Sequence, residues 1–286
     1  MPDPKLTEVR ALVSLLGDED AKIFAMVREQ ILTLGAEAKP FLLEAVEAKE
    51  PRLRLRVRTL LARIQLDETE RALTEMARLD DLDFDLEEGL HAIARLEQPD
   101  LAVGELSAAL DAVAARVEPE LEGKRPGAEQ IAAINRVLFQ DLRFMGNPHE
   151  LFEFDSVLLH RVLERRTGIP ISLVSVYLLV TWRLGLNFRG VGLPNHFLVK
   201  WGEGPEEIYI DPYSGGKTLT RGECIHYLTG AGFFFKDSYI NEAGPRELVI
   251  RTLRHLIVIY SKYQDRTREK ALVRCVEVLQ TKERAR

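Results

Sequence analysis

Cysteine is scarce in this chain: its 286 residues include two, Cys224 and Cys275. That is too few for a disulfide framework, and their spacing matches no metal-binding pattern. Histidine does not supply one either. His160, His226 and His255 stand isolated, and His149 follows Pro148 in a loop. No metal and no cofactor is implied. Long apolar runs are missing as well. The longest, Ile171–Trp182, holds twelve residues, two of them serine, whereas a membrane-spanning helix needs about 20. The start, MPDPKLTEVR, lacks the apolar stretch of a signal peptide. A cytoplasmic protein with no membrane partner is the expectation. Basic charge is in deficit, 39 Lys and Arg against 45 Asp and Glu, for a net charge of −6. A nucleic-acid binder normally carries a basic stripe, so nucleic acid is not an expected partner. Aromatics make up 7%, and the run Phe233-Phe234-Phe235 reads as core rather than a base-stacking platform. Gly215-Gly216 open no phosphate loop, because no G-K-[ST] follows at the required spacing.

What is present is mostly helix. LLGDEDAKIFAMVREQILTLG aligns loosely with AVEAKEPRLRLRVRTLLARI, and in both an acidic or proline-containing break precedes a helix with three- and four-residue apolar spacing. Residues 1–66 therefore resemble HEAT-type helical repeats. Residues 67–130 form a helical connecting region, with EEGLHAIARL and ELSAALDAVAARV as its clearest segments. Residues 131–245 mix helix and strand and form an α+β core with an antiparallel sheet. Residues 246–286 form a helical hairpin of the kind used in tetratricopeptide repeats. Within the core, Pro170 suits the first turn of a helix and Gly185 its C-terminal stop. The residues between are nearly all apolar, so this helix is expected to be buried on most of its surface.

After that helix comes a strand, then GLPNHFLVKWGEGPEEIYIDP. FLVKW and IYID alternate as strands and GEGP is turn chemistry. Folding about Glu203–Gly204 pairs Phe197 with Ile210 and Val199 with Ile208 on one face. On the other, Lys200 meets Glu207 and His196 meets Asp211. A carboxylate on the Nδ1–H of an imidazole orients the ring and stabilises its cation, which is two thirds of a nucleophilic triad.

The order of buried helix, strand and His/Asp hairpin resembles the transglutaminase-like (papain-like) core. More narrowly, VLERRTGIPISL, RLGL, GVGLPNHFLV, IDPYSGG and RFMGN resemble the SirB-type branch, which joins that core to tetratricopeptide-like helices. The resemblance covers roughly residues 86–280. It implies that the superfamily's cysteine position, at the first turn of the buried helix, is Pro170. Proline offers neither a nucleophile nor an N–H for an oxyanion hole, and GIPISL is usual in this branch. Ser156-Val157 departs from the branch, which commonly has Asn-Ser there.

Ser172 is the candidate substitute nucleophile, although it lies about 200° around the helix from Pro170. The bland alternative is a serine that supports the helix N-terminus. Cys224 and Cys275 read as small buried hydrophobes. Arg165 and Arg166 either hold an acidic ligand or cap a helix. Pro170, Asn195, Arg165 and Arg166 are the candidate binding residues, and His196 and Asp211 the catalytic pair, vestigial or active. Three functions stay open: a non-catalytic regulatory or accessory protein that binds a peptide or protein partner, a peptidase, amidase or transamidase, and a structural adaptor. The absent cysteine favours the first, and the oligomeric state is open.

Overall fold

The computed structural model describes residues 4–281, with side chains from Leu6 onward. The first three residues of MPDPKLTEVR and the last five of the C-terminal segment lie outside the described residues. Contacts group the chain into two units, Met1–Ala72 with Arg95–Leu101, and Leu73–Ala94 with Ala102–Arg286. The α+β core segment and the C-terminal helical segment thus fall in the same unit.

The first unit is helical: α1 (Pro4–Leu15), α2 (Ala21–Leu34), α3 (Lys39–Glu44) and α4 (Pro51–Met76) up to Ala72. Its breaks have physical causes. Asp20 caps α2 by accepting from the Lys22 amide at 2.7 Å, and Gly35, at φ 53°, ends it. Arg56 donates to the Leu16 and Asp18 carbonyls at 2.8 and 2.7 Å and lies over the Phe24 ring. Val13, Leu16, Ile31, Leu42 and Val57 form its core.

The second unit opens with α5 (Leu86–Ala94), α6 (Val103–Val117) and α7 (Ala128–Asn135). α7 is followed directly by a π-helical stretch, Arg136–Asp141. Next come β1 (Met145–Gly146), α8 (Phe154–Val157), α9 (Leu159–Arg165) and β2 (Thr167–Gly168), with β1 and β2 paired in parallel. Then α10 (Pro170–Arg183) leads into β3 (Phe188–Val191), β4 (Leu198–Trp201), β5 (Ile208–Asp211) and β6 (Lys217–Leu219). The chain ends with α11 (Arg221–Gly230), β7 (Glu242–Ala243), α12 (Pro245–Lys262) and α13 (Arg266–Thr281). The larger sheet is antiparallel throughout, in the order β6-β5-β4-β3-β7. On one face α11 covers Leu198 and Tyr209 with Cys224 and Leu228, and Phe233 and Phe235 pack on the same cluster. Phe234 does not join them and is 92% exposed. α10 packs against β3 and β4, with Tyr177 edge-on to Phe188 at 5.5 Å.

The hairpin register differs from the expected one. Val199 pairs with Ile210, Lys200 with Tyr209 and Trp201 with Ile208, a shift of two residues. The turn explains it. Residues 202–207 are all consumed in the connection, with Gly202 and Gly204 at positive φ and a 3₁₀ turn over Gly204–Glu206. A two-residue shift keeps every side chain on its face, whereas a one-residue slip would have turned the apolar set to the wrong side. Lys200 still reaches Glu207, at 3.6 Å, and Glu242 at 2.7 Å.

Gly216 tests this frame. It has φ of 80°, and a Cβ there would stand 2.6 Å from the Phe139 ring and the Asn135 side chain. Gly216→Ala combines left-handed strain with overpacking and is expected to destabilise by about 2–4 kcal/mol. Urea unfolding should give a lower midpoint with an unchanged m value.

Candidate functional site

The site begins with two turns. Pro194-Asn195 reverse the chain after β3, and Asn195 takes φ of 60°, a conformation asparagine tolerates better than most residues. The His196 amide closes the turn on the Leu193 carbonyl at 3.3 Å. The second turn follows Asp211, which caps the 3₁₀ segment Pro212–Ser214. Its Oδ1 accepts from the Tyr213 and Ser214 amides at 3.0 and 3.2 Å, and its Oδ2 from the Ser214 hydroxyl at 2.8 Å. The fourth donor is His196, whose Nε2 lies 2.9 Å from Oδ2, with both side chains about 10% exposed.

The contact uses Nε2, not the Nδ1 expected from the sequence. An ionised carboxylate only accepts, so Nε2 carries a proton, and whenever the ring is uncharged Nδ1 is left with a lone pair. Tyr213 and Tyr227 flank the imidazole, with ring centroids at 6.0 and 5.6 Å. Burial works against ionisation of Asp211. The hydrogen bond and charge of His196, with the two bonds from Ser214, outweigh it and hold the carboxyl below its usual range.

The opposite wall is the start of α10. Its first turn is knit into the fold: the Ile169 amide donates to the Ser156 carbonyl at 3.0 Å, and β2 just before it pairs with β1. Gly146 of β1 has its own reason, since a Cβ there would meet the Tyr213 ring at 2.5 Å. Pro170, at the first position of α10, lines a cavity of about 740 Å³ with Asn195, His196 and Asp211. Ser172 does not line it. Its hydroxyl accepts from the Ile169 amide at 3.0 Å and donates its O–H to the Ser156 carbonyl at 2.8 Å, a helix-start role on the inner face.

Other expected candidates also lie elsewhere. Arg165 is held by Glu150 and Asp155. Arg166, in the left-handed region at φ 59°, closes α9 and donates to the Leu142 carbonyl at 3.1 Å. Neither lines the cavity. Cys224 and Cys275 are buried. Burial pushes the Cys224 thiol up to about 11, with Glu223 and Asp211 adding to the effect. His149 and His226 are exposed. Burial, then Arg161, pulls His160 down to about 4. Among the described residues no cluster of His, Cys, Asp or Glu could hold a metal, and no helix is long and apolar enough to cross a membrane.

The sequence reading missed one whole wall. α12, placed beforehand in the C-terminal hairpin, lines the cavity with Arg251, Arg254, His255 and Val258. The signal was there, in basic residues at 251, 254 and 255 recurring at helical spacing within an otherwise apolar stretch.

Residues 104–254 match the family model described as the transglutaminase-like superfamily. The chain belongs to the transglutaminase-like superfamily. The matched range runs from α6 to Arg254 of α12, so it takes in the His196 and Asp211 turns, the start of α10, and Arg251 and Arg254 of the α12 wall. A UPF0162 protein of Xylella fastidiosa (strain 9a5c) is 31% identical over 208 residues, covering 71% of this chain and 73% of that one. One from Vibrio cholerae is 30% identical over 145 residues, 49% of this chain and 53% of that one. The F-box only protein 21 of Mus musculus is 41% identical over 111 residues, 36% of this chain and 18% of that protein. The chain thus spans under a fifth of the F-box only proteins it matches. No solved structure matches it.

Asp211→Asn measures the anchor of this transglutaminase-like site. The folded carboxyl titrates below its unfolded value, so its contribution is full above about pH 4 and is lost as pH falls through the folded pKa. The variant should lose about 1–3 kcal/mol at pH 7. The gap from wild type should narrow as both are unfolded in urea at progressively lower pH. A gap independent of pH would mean that the carboxylate charge is not what matters.

Proposed function

We propose that this transglutaminase-like protein is a binding protein with a regulatory or accessory role, whose cleft holds a peptide segment of a protein partner. What supports the reading is that Pro170, which the motif resemblance equates with the superfamily's nucleophile position, lines the cleft, while the hydroxyl of Ser172 is committed to the Ile169 and Ser156 backbone. The cavity, at about 740 Å³, is in the size range of ligand sites. HEAT-like helices in the first unit and a tetratricopeptide-like pairing of α12 with α13, as in the SirB-type branch, would add contact surface. Relatives as different in length as the UPF0162 proteins and F-box only protein 21 support a module that works by recognition within larger contexts.

A second reading keeps chemistry. His196 is fixed by Asp211 through Nε2, which leaves Nδ1 able to activate a water for hydrolysis. A turnover screen separates the two. Wild type and His196→Ala are incubated with a peptide pool and an amine donor, and products are read by mass spectrometry. The binding reading expects no product from either. Product that requires His196 would overturn it.

A chemical probe tests the premise about Pro170. Pro170→Cys places a thiol at a helix N-terminus in the cleft that His196 also lines, and a helix N-terminus and a neighbouring imidazolium both favour thiolate. Iodoacetamide at mildly acidic pH should alkylate it roughly tenfold faster than free cysteine. Adding His196→Ala should remove most of the gain. A rate equal to that of free cysteine would mean that position 170 does not occupy the nucleophile's place.

A further inference from the structure

Among the charged side chains of the cleft, the capacity left for a ligand lies with donors. Asp211 accepts from four groups, so it has little capacity left for a ligand. On α12 the balance is reversed. Arg251 donates through Nε to Glu247 at 2.6 Å, and its Nη2 lies against Gly192, where a Cβ would come within 3.3 Å. Arg254 comes no nearer to the same carboxylate than 3.9 Å, beyond hydrogen-bonding range. One glutamate thus faces two guanidiniums. His255 also lines the cleft and adds a ring N–H. Around these donors the surface is apolar and open: Leu151, Phe152 and Val258 are 37%, 48% and 48% exposed, and all three line the same cavity.

Cationic donors beside exposed apolar side chains define a complementary ligand. We propose that the cleft recognises an acidic peptide segment, with an Asp or Glu side chain seated on Arg251 and Arg254 and neighbouring apolar side chains on Leu151, Phe152 and Val258. The planar guanidinium fork suits a carboxylate in two-point contact. Glu247 holds Arg251 in place from behind, so less side-chain entropy is lost on binding. A ligand N–H or O–H could be accepted by Nδ1 of a neutral His196. This inference rests on the binding reading and specifies the chemistry of its partner.

The test is a selection from a random peptide library displayed on phage. The peptides are about twelve residues long, roughly 40 Å when extended, and are fused through their C-termini so that only side-chain carboxylates are free. The bait is the full chain. Peptides also retained by Phe152→Ser, a change at an exposed position, are discarded as binding elsewhere. The expected result is an excess of Asp and Glu over the unselected library. It should disappear in a parallel selection on Arg254→Glu, with Lys and Arg enriched instead. Individual selected peptides should bind Arg254→Gln roughly tenfold more weakly. Unchanged thermal unfolding of the variants, expected because Arg254 is exposed, confirms that they fold. Cleft peptides without acidic excess, or with an excess unchanged by Arg254→Glu, would overturn this inference and leave the binding reading standing. A selection that enriches no peptide at all would overturn both.

Discussion

A helix with no polar face has to be covered on every side, and α10 is that helix. From Ile171 to Thr181 every residue is buried. Its serine and threonine hydroxyls turn onto backbone: Ser175 donates to the Ile171 carbonyl and Thr181 to that of Tyr177, both at 2.9 Å. With nothing to offer water, α10 draws α6, α9, α12 and the sheet around itself. Its two ends are then fixed. At the C-terminal end Trp182 donates to the Phe188 carbonyl at 2.9 Å, and Arg183 binds Glu87 and Asp111. At the N-terminal end Ser172, Ser156 and the β1–β2 pair hold the first turn. The position of Pro170 at the cleft follows from the burial of the eleven residues after it.

The same frame gives the His196–Asp211 pair a structural reason of its own. Asp211 does structural work independent of chemistry, capping the turn that leads to β6 and orienting His196. Removing Asp211 would leave the His196 ring N–H and the Tyr213 and Ser214 donors without their acceptor, which costs free energy whether or not a reaction takes place. A proline at the first turn of α10 is equally well suited to the helix. Retention of His196 and Asp211 is therefore compatible with a role in binding. The character of the cleft is set more by α12, whose Arg251 and Arg254 bring positive charge to a protein of net charge −6.

Much of the central architecture could be read from residue order because it rests on local rules. Gly-Ile-Pro before an apolar run marks a helix start, alternation in FLVKW and IYID marks strands, and Gly185 marks a stop. These depend on neighbours a few residues apart. The face of each hairpin residue was legible for the same reason, since alternation has a period of two. The register was not. It depends on how many residues the turn consumes, and here two glycines at positive φ and a 3₁₀ turn lengthen it. Which imidazole nitrogen meets Asp211 was likewise out of reach, because it depends on where the turn before β4 places His196.

The assignments that needed distance in sequence were decided only by packing. Ser172 looked like a candidate nucleophile by its place in the first turn, but whether its hydroxyl faces the cleft or Ser156 depends on a segment sixteen residues earlier. Arg165 and Arg166, adjacent to the key motif, are absorbed by Glu150, Asp155 and the Leu142 carbonyl. Arg251 and Arg254, far from it, reach the cleft because α12 packs on α10. Local propensity and periodicity are properties of a window of residues, so residue order states them directly. A cleft is assembled from windows that meet only when a shared apolar surface is buried, and that meeting is settled in three dimensions.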